Sequence, residues 1–279
     1  MEPNGELSKY NPENIKASEI ISKWTFGIES QRPIAEQIYQ VFEDDACDQL
    51  NNFFINRYKT ASDEERNNII VALGNLGARN LPVEIGNMDL LFDLAEDPDA
   101  NNTLILREIR NKIMRLSLRL SEAEEDEKKQ LIAPIEKAGK NLLSIIQTST
   151  DENIKKEATI GIYQCALNQE TRETMIQTLK GELTNASENY VDVITGELVS
   201  IMDPGSELIV QLFKNQVDKF DYENNDQNNR LIIMLGHGGN ADFMPFLEEI
   251  RNHPKFSEYS TQKNINWAIE QLKSRKKDA

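Results

Sequence analysis

Residues 71–82 read VALGNLGARNLP, and the fold follows from how this stretch is read. An apolar run at helical spacing stops on Gly-x-x-Gly and restarts at a proline. Residues 233–245, IMLGHGGNADFMP, do the same. With Leu73 set on Leu235, Gly74 falls on Gly236, Gly77 on Gly239, Ile70 on Ile232 and Leu81 on Phe243. Pro82 and Pro245 differ by one position. A glycine at a helix end can take the left-handed conformation that closes the last turn. A second glycine, with no Cβ, lets the following helix pack close. The pattern therefore predicts the turn of a helix-turn-helix unit used twice, with Gly77 and Gly239 at or just after helix ends. A phosphate-cradling loop is the poorer reading, because no strand precedes it and no Gly-Lys-Ser/Thr follows.

Outward from these turns the apolar period is helical nearly everywhere, and no Asn-Gly or Asp-Gly hairpin separates two apolar runs. The expected helices lie near 14–28, 33–57 (with a break around EDDAC), 62–77, 82–96, 101–121 and 125–148. They continue near 151–167, 170–184, 188–202, 204–220, 225–236, 240–251 and 260–277. Ser62-Asp63-Glu64-Glu65 fits the S-x-x-E capping box, and Ser121 and Thr150-Asp151 stand at two further expected starts. The acidic run 122–127, EAEEDE, suits a helix N-terminus or an exposed loop. In NNTLILREIRNKIMRLSLRLSE (101–122), Ile105, Ile109, Ile113, Leu116 and Leu120 form one apolar stripe. Ile265, Ala268, Ile269 and Leu272 do so in the last helix.

The stretches RNNIIVALGNLGARNLP (66–82) and RLIIMLGHGGNADFMPFLEEI (230–250), with NINWAIEQLKS (264–274), resemble the HEAT-like repeat family. In that family ALGxLG ends one helix and a Pro-led helix follows, as in LPVEIGNMDLLFDLAEDPDA and MPFLEEIRNHP. The resemblance covers 62–121 and 225–277 and fades between 122 and 220 and before 60. It implies an all-α, right-handed α-α superhelix, a HEAT/armadillo-like solenoid spanning 14–279 as one domain behind a flexible 1–13. The 162-residue offset between Leu73 and Leu235 equals four repeats of about 40 residues. The resemblance implies scaffolding or binding more often than catalysis. Some HEAT-like proteins are enzymes, among them alkylpurine DNA glycosylases and bilin lyases.

The 279 residues carry 47 acids against 31 bases, a formal net charge of −16. That charge repels nucleic-acid backbones and anionic lipid. It argues against a DNA glycosylase, which needs a basic groove. Two cysteines, Cys47 and Cys165, make no disulfide framework. With neither a signal-peptide pattern nor a run of roughly 20 apolar residues, a cytoplasmic protein without membrane contact is expected.

Signals of chemistry are sparse. His237 lies in the Gly-x-x-Gly turn and His253 in a helix-ending turn, and no histidine–cysteine pair has zinc-ligand spacing. Asp97 and Asp99 read as a turn and a cap, since the glycine and glutamate of an EF-hand are missing. No cofactor, metal or catalytic residue is expected. From Gly181 to Phe213 there is no Lys or Arg, while Glu182, Glu188, Asp192, Glu197, Asp203 and Glu207 fall within it. Glu188, Asp192 and Glu197 are the candidate contacts for a basic partner, provided that they share an exposed face. Arg107 and Arg110 belong to a basic helix, with Lys112, Arg115 and Arg119. That helix could hold an anion or pair with acids of LFDLAEDPD (91–99). The expected function is non-catalytic protein binding by a scaffold or adaptor. The alternatives are an acidic inhibitor or DNA mimic blocking a basic protein such as a nuclease, and a HEAT-like enzyme.

Overall fold

Twelve α-helices and no strand occur among the residues described by the structure, a computed structural model covering 44–78, 80–97 and 99–278. The expectations for 1–43, namely the flexible 1–13, the helix at 14–28 and the first part of 33–57, lie outside the described residues. Backbone contacts group the chain into two compact units, Met1–Leu167 and Asn168–Ala279.

The first unit contains α1 (Asp44–Tyr58), α2 (Asp63–Asn75), α3 (Leu81–Leu94), α4 (Asn102–Glu122), α5 (Glu125–Thr148) and α6 (Glu152–Thr159). Helix α2 packs on α1, α3 and α4, while α4 also packs on α3, α5 and α6. The stripe foreseen on α4 is the reason: Ile105, Ile109, Ile113 and Leu116 are buried among these neighbours. Asp44–Cys47, the described part of EDDAC, belongs to α1, and the chain before it lies outside the described residues.

Ser62 caps α2 by accepting the Glu65 backbone N–H at 3.4 Å. The reciprocal half of the capping box does not form, because the Glu65 carboxylate takes the Arg57 guanidinium at 2.7 and 2.9 Å. Ser121 starts no helix; it lies in the last turn of α4 and donates to the Leu118 carbonyl. The acids Glu125, Asp126 and Glu127 occupy the first turn of α5, where the helix dipole favours them. The helix expected over 151–167 is broken. Gly161 has φ 82°, and a short 3-10 turn, Ile162–Cys165, follows it. A left-handed residue cannot continue an α-helix.

The second unit contains α7 (Gln169–Glu182), α8 (Glu188–Ile201), α9 (Glu207–Asp218), α10 (Asn225–Gly238), α11 (Met244–Asn252) and α12 (Tyr259–Asp278). Helix α8 packs on α7, α9 and α10, α10 packs on α9 and α12, and α11 packs on α12. Ile265, Ala268, Ile269 and Leu272 are all buried, as the period of α12 requires.

The doubled stretch ends α2 and α10, but only one of its four aligned glycines is left-handed, and it is the second of its pair. Gly77, the second, takes the left-handed conformation at φ 83°. Gly239 does not: at φ −73° and ψ 171° it is extended. A Cβ there would stand 2.6 Å from the Leu235 carbonyl oxygen, so bulk and not handedness selects glycine. The first glycine provides the close approach. A Cβ on Gly74 would strike Glu108 of α4, and one on Gly236 would strike the Trp267 ring of α12. A Cβ on Gly77 would also stand 2.6 Å from Val83 Cγ1 of α3, so the first motif admits the next helix, as expected, and the one after it as well, while the second admits α12.

A second parallel accompanies the first. The Arg115 guanidinium donates to the Gly74 carbonyl at 2.6 Å, and Lys112 donates to that of Leu76 at 3.2 Å. Arg275 donates to the carbonyls of Gly236, His237 and Gly239 at 2.7, 2.8 and 2.9 Å. In each unit a cation from the helix after next satisfies the open carbonyls and the negative end of the glycine-ended helix.

Candidate binding cleft

The basic helix α4 is largely neutralised from within its own unit. Glu84 of α3 accepts Lys112 at 2.6 Å and Arg115 at 2.6 Å, with Glu84 and Lys112 both buried. Burial pushes the Lys112 ammonium down to about 8, against the pull of Glu84. Arg107 lies 3.7 Å from Glu108, and Arg110 lies 3.6 Å from Glu157. Arg119 pairs with Glu127. The acids foreseen on 91–99 are not these partners. Arg110 is half-buried against Glu157 and the Gly161 turn, one turn of α4 from Met114 and two from Leu118. Those two apolar residues are 44% and 60% exposed.

The acid-rich stretch does not form one exposed surface. Glu197 is buried, at 8% exposure, so its place among the exposed contact residues is corrected. It shares α8 with Ile194, Leu198 and Ile201 and falls on the side turned to the core. Glu188 is exposed and pairs with Lys219, while Asp203 pairs with Arg172 at 3.2 Å. Bases absent from 181–213 are brought in by α7 and by the segment after α9.

Glu188 and Asp192 do come together, at a cleft between α8, α9 and α10. Ser187 fixes the start of α8 by accepting the Tyr190 N–H, and Asn224 fixes that of α10 by accepting the Gln227 N–H. Asn228 donates to the Asp221 carbonyl at 2.8 Å and holds the connecting turn against α10. The space left has a volume of about 350 Å³. Its apolar lining is Val191, Leu212, Leu231, Met234 and Phe220; its polar lining includes Asp192, Gln216, Gln227, Arg230 and the Glu188–Lys219 pair. Asp192 accepts Gln216 Nε2 at 2.6 Å on one oxygen and Gln227 Nε2 at 3.3 Å on the other. Gln216 Oε1 is buried and has no hydrogen-bond partner among the described residues. Carboxylates, carboxamides and cations above an aliphatic floor orient a ligand by charge and hydrogen bonds.

Sequence reasoning found Glu188 and Asp192 but missed Gln216, Gln227 and Arg230. The available signal was the spacing of Gln227, Arg230, Leu231 and Met234, which puts polar and apolar groups on one face of α10. Arg107 and Arg110 lie in the other unit. His237 packs edge-on against Trp267 at 4.8 Å, and His253 stacks near Tyr222 at 4.6 Å while accepting the Lys255 N–H. Asp97 accepts the Asp99 N–H, closing the expected turn. Among the described residues no group of three or more His, Cys, Asp or Glu side chains is placed to hold a metal ion. None of the described helices is long and apolar enough to cross a membrane.

No protein-family model matches the chain, and no curated protein matches it in sequence.

Proposed function

We propose that the protein is a non-catalytic scaffold or adaptor that binds another protein through stacked, HEAT-like helix pairs. The observation that carries this reading is the open face of α4. Met114 and Leu118 stand exposed one turn apart, beside Arg110, on a helix whose other faces are packed. An apolar pair with an arginine at its edge is the composition of a protein contact. The local packing supports the repeat reading: α2 on α4, α3 on α5, and α8 on α10 on α12 are helix-to-second-helix contacts, as in stacked hairpins. The acidic-inhibitor reading has less to stand on, with Glu197 buried and Glu188 and Asp203 in ion pairs.

A photocrosslinking amino acid at Leu118, in the full chain in its native cells, tests the proposal. The expected result is one discrete adduct with a second protein, absent when the same group replaces Lys129, whose side chain is 74% exposed. No adduct, or the same ladder from both positions, overturns it.

A further inference from the structure

We infer that the α8–α9–α10 cleft binds a primary alkylammonium group, with the ammonium at Asp192 and its short aliphatic chain along Leu212, Leu231 and Met234. This goes beyond the protein-binding proposal and does not rest on it.

Helix direction gives the cleft a polar end and an apolar end. Asp192 of α8 accepts Gln216 of α9 at 2.6 Å and Gln227 of α10 at 3.3 Å, so its carboxylate sits where the three helices meet. One turn further along α8, a Cβ on Gly196 would stand 3.5 Å from Arg230 Nη2 and 3.8 Å from Met234 Sδ. Helices α8 and α10 therefore run side by side in the same direction. Helix α9 runs the other way: a Cβ on Gly238, at the end of α10, would stand 3.0 Å from Val199 Cγ1 and 3.2 Å from Ile209 Cγ2, near the start of α9. Leu212 thus lies one turn from Gln216 and Leu231 one turn from Gln227, on the same side of the carboxylate, with Met234 beyond. The aliphatic walls begin about 5 Å from the charge along the helix axes.

The polar end is negative. Two carboxamides orient the Asp192 carboxylate but do not cancel its charge, and no cation of the described residues pairs with it. A carboxylate has about four lone-pair sites, so an ammonium is accepted without displacing either amide. Among the other charged groups of the lining, Lys219 is committed to Glu188, and Asp221 adds a second acid. Arg230 is the remaining cation of the lining, and its guanidinium lies beside Gly196, one turn from Asp192 toward the apolar end.

This polarity selects a ligand with one positive head and an apolar tail. An anionic head is repelled by Asp192. A second ammonium, on the far end of a diamine, meets Met234 and the Arg230 guanidinium. Leu212, Leu231 and Met234 are aliphatic and nearly buried, so a methylene chain laid on them leaves water. A volume of about 350 Å³ is at the small end of ligand pockets and suits a stem such as the four-carbon one of lysine. A free alkylamine and a lysine side chain share that chemistry.

Proton–nitrogen correlation spectra of the full chain, titrated with n-butylammonium, n-butanol and the diamine putrescine, test the inference. The side-chain amides of Gln216 and Gln227 report on the head. Butylammonium is expected to shift both saturably with a Kd in the millimolar range or tighter. Butanol and putrescine are each expected to bind about tenfold more weakly or worse, and Asp192→Asn to weaken butylammonium by a similar factor. The butanol comparison uses the unaltered chain, so it decides the matter even where Asp192→Asn disturbs the fold. A lysine derivative acetylated on its α-amine and amidated on its carboxyl, binding as tightly as butylammonium, makes the natural ligand a lysine side chain; binding of butylammonium alone makes it a free amine, and both results uphold the site. No saturable shift at about 20 mM butylammonium overturns the proposal. Equal binding of butanol, equal or tighter binding of putrescine, or butylammonium binding that Asp192→Asn leaves intact overturns it as well.

Discussion

Lys112 and Glu84 meet at 2.6 Å with their side chains 0% and 3% exposed, and Glu84 serves Arg115 as well. One carboxylate from α3 thus answers two cations of α4, and both cations also hold carbonyls at the end of α2.

Glu84→Gln is expected to destabilise the protein by about 3 kcal/mol or more, because it leaves a buried ammonium and a half-buried guanidinium without their anion. Urea denaturation of the two proteins measures it. A loss under about 1 kcal/mol would mean that the carbonyl contacts alone hold the cations.

The same pair sets a pH dependence. Lys112 falls to about 8 in the folded protein from an ordinary 10.5. Below pH 8 the lysine is charged in both states, and the burden of a buried charge is fully present. Between pH 8 and 10.5 the unfolded chain keeps the proton that the folded one has shed, so stability rises with pH. Relative to Lys112→Met, the wild type is expected to gain on the order of 3 kcal/mol across that window. Urea curves of both proteins at its two ends test this, and parallel behaviour would refute it.

Gly236→Ala is expected to lose on the order of 2 kcal/mol, since the new methyl meets a rigid indole. Trp267→Leu should be less harmful in the Gly236→Ala background than in the wild type. A double-mutant cycle by thermal denaturation reads the coupling, and strict additivity would contradict the contact.

Gly77→Ala combines a left-handed φ of 83° with a Cβ 2.6 Å from Val83 Cγ1. It should lose more than about 1 kcal/mol, with strain and overlap adding. Chemical denaturation measures the loss, and an unchanged midpoint would rule out both effects.

Charge reversal separates two acids of one stretch. Glu197→Lys forces an ammonium into the core side of α8 and is expected to destabilise by on the order of 3 kcal/mol. Glu188→Lys, on the surface, should leave the melting temperature close to that of the wild type. Thermal denaturation distinguishes them, and equal shifts would contradict the burial of Glu197.

Helix positions were legible because they rest on local signals. The stripes of α4 and α12, the cap at Ser62 and the two glycine turns each lie within one or two turns of chain. What escaped the sequence depends on tertiary partners. Glu65 turns to Arg57 and abandons its capping box. Glu197 looks like its neighbours Glu188 and Asp192, and only the packing of α8 tells which side it faces. The cleft joins residues of three helices, and its lining is defined by how α8, α9 and α10 pack. Gly161 was readable in principle, but nothing in its neighbours required the left-handed conformation.

The arginine that closes α2 lies 41 residues beyond the carbonyl it holds. A ribosome adding roughly 5–20 residues per second delivers Arg115 about 2–8 s after Gly74. For that interval the nascent α2 has an unfinished end and an unfilled notch at Gly74. The clasp therefore imposes an order of assembly: a helix is sealed by a later one, so the chain locks backward as it emerges.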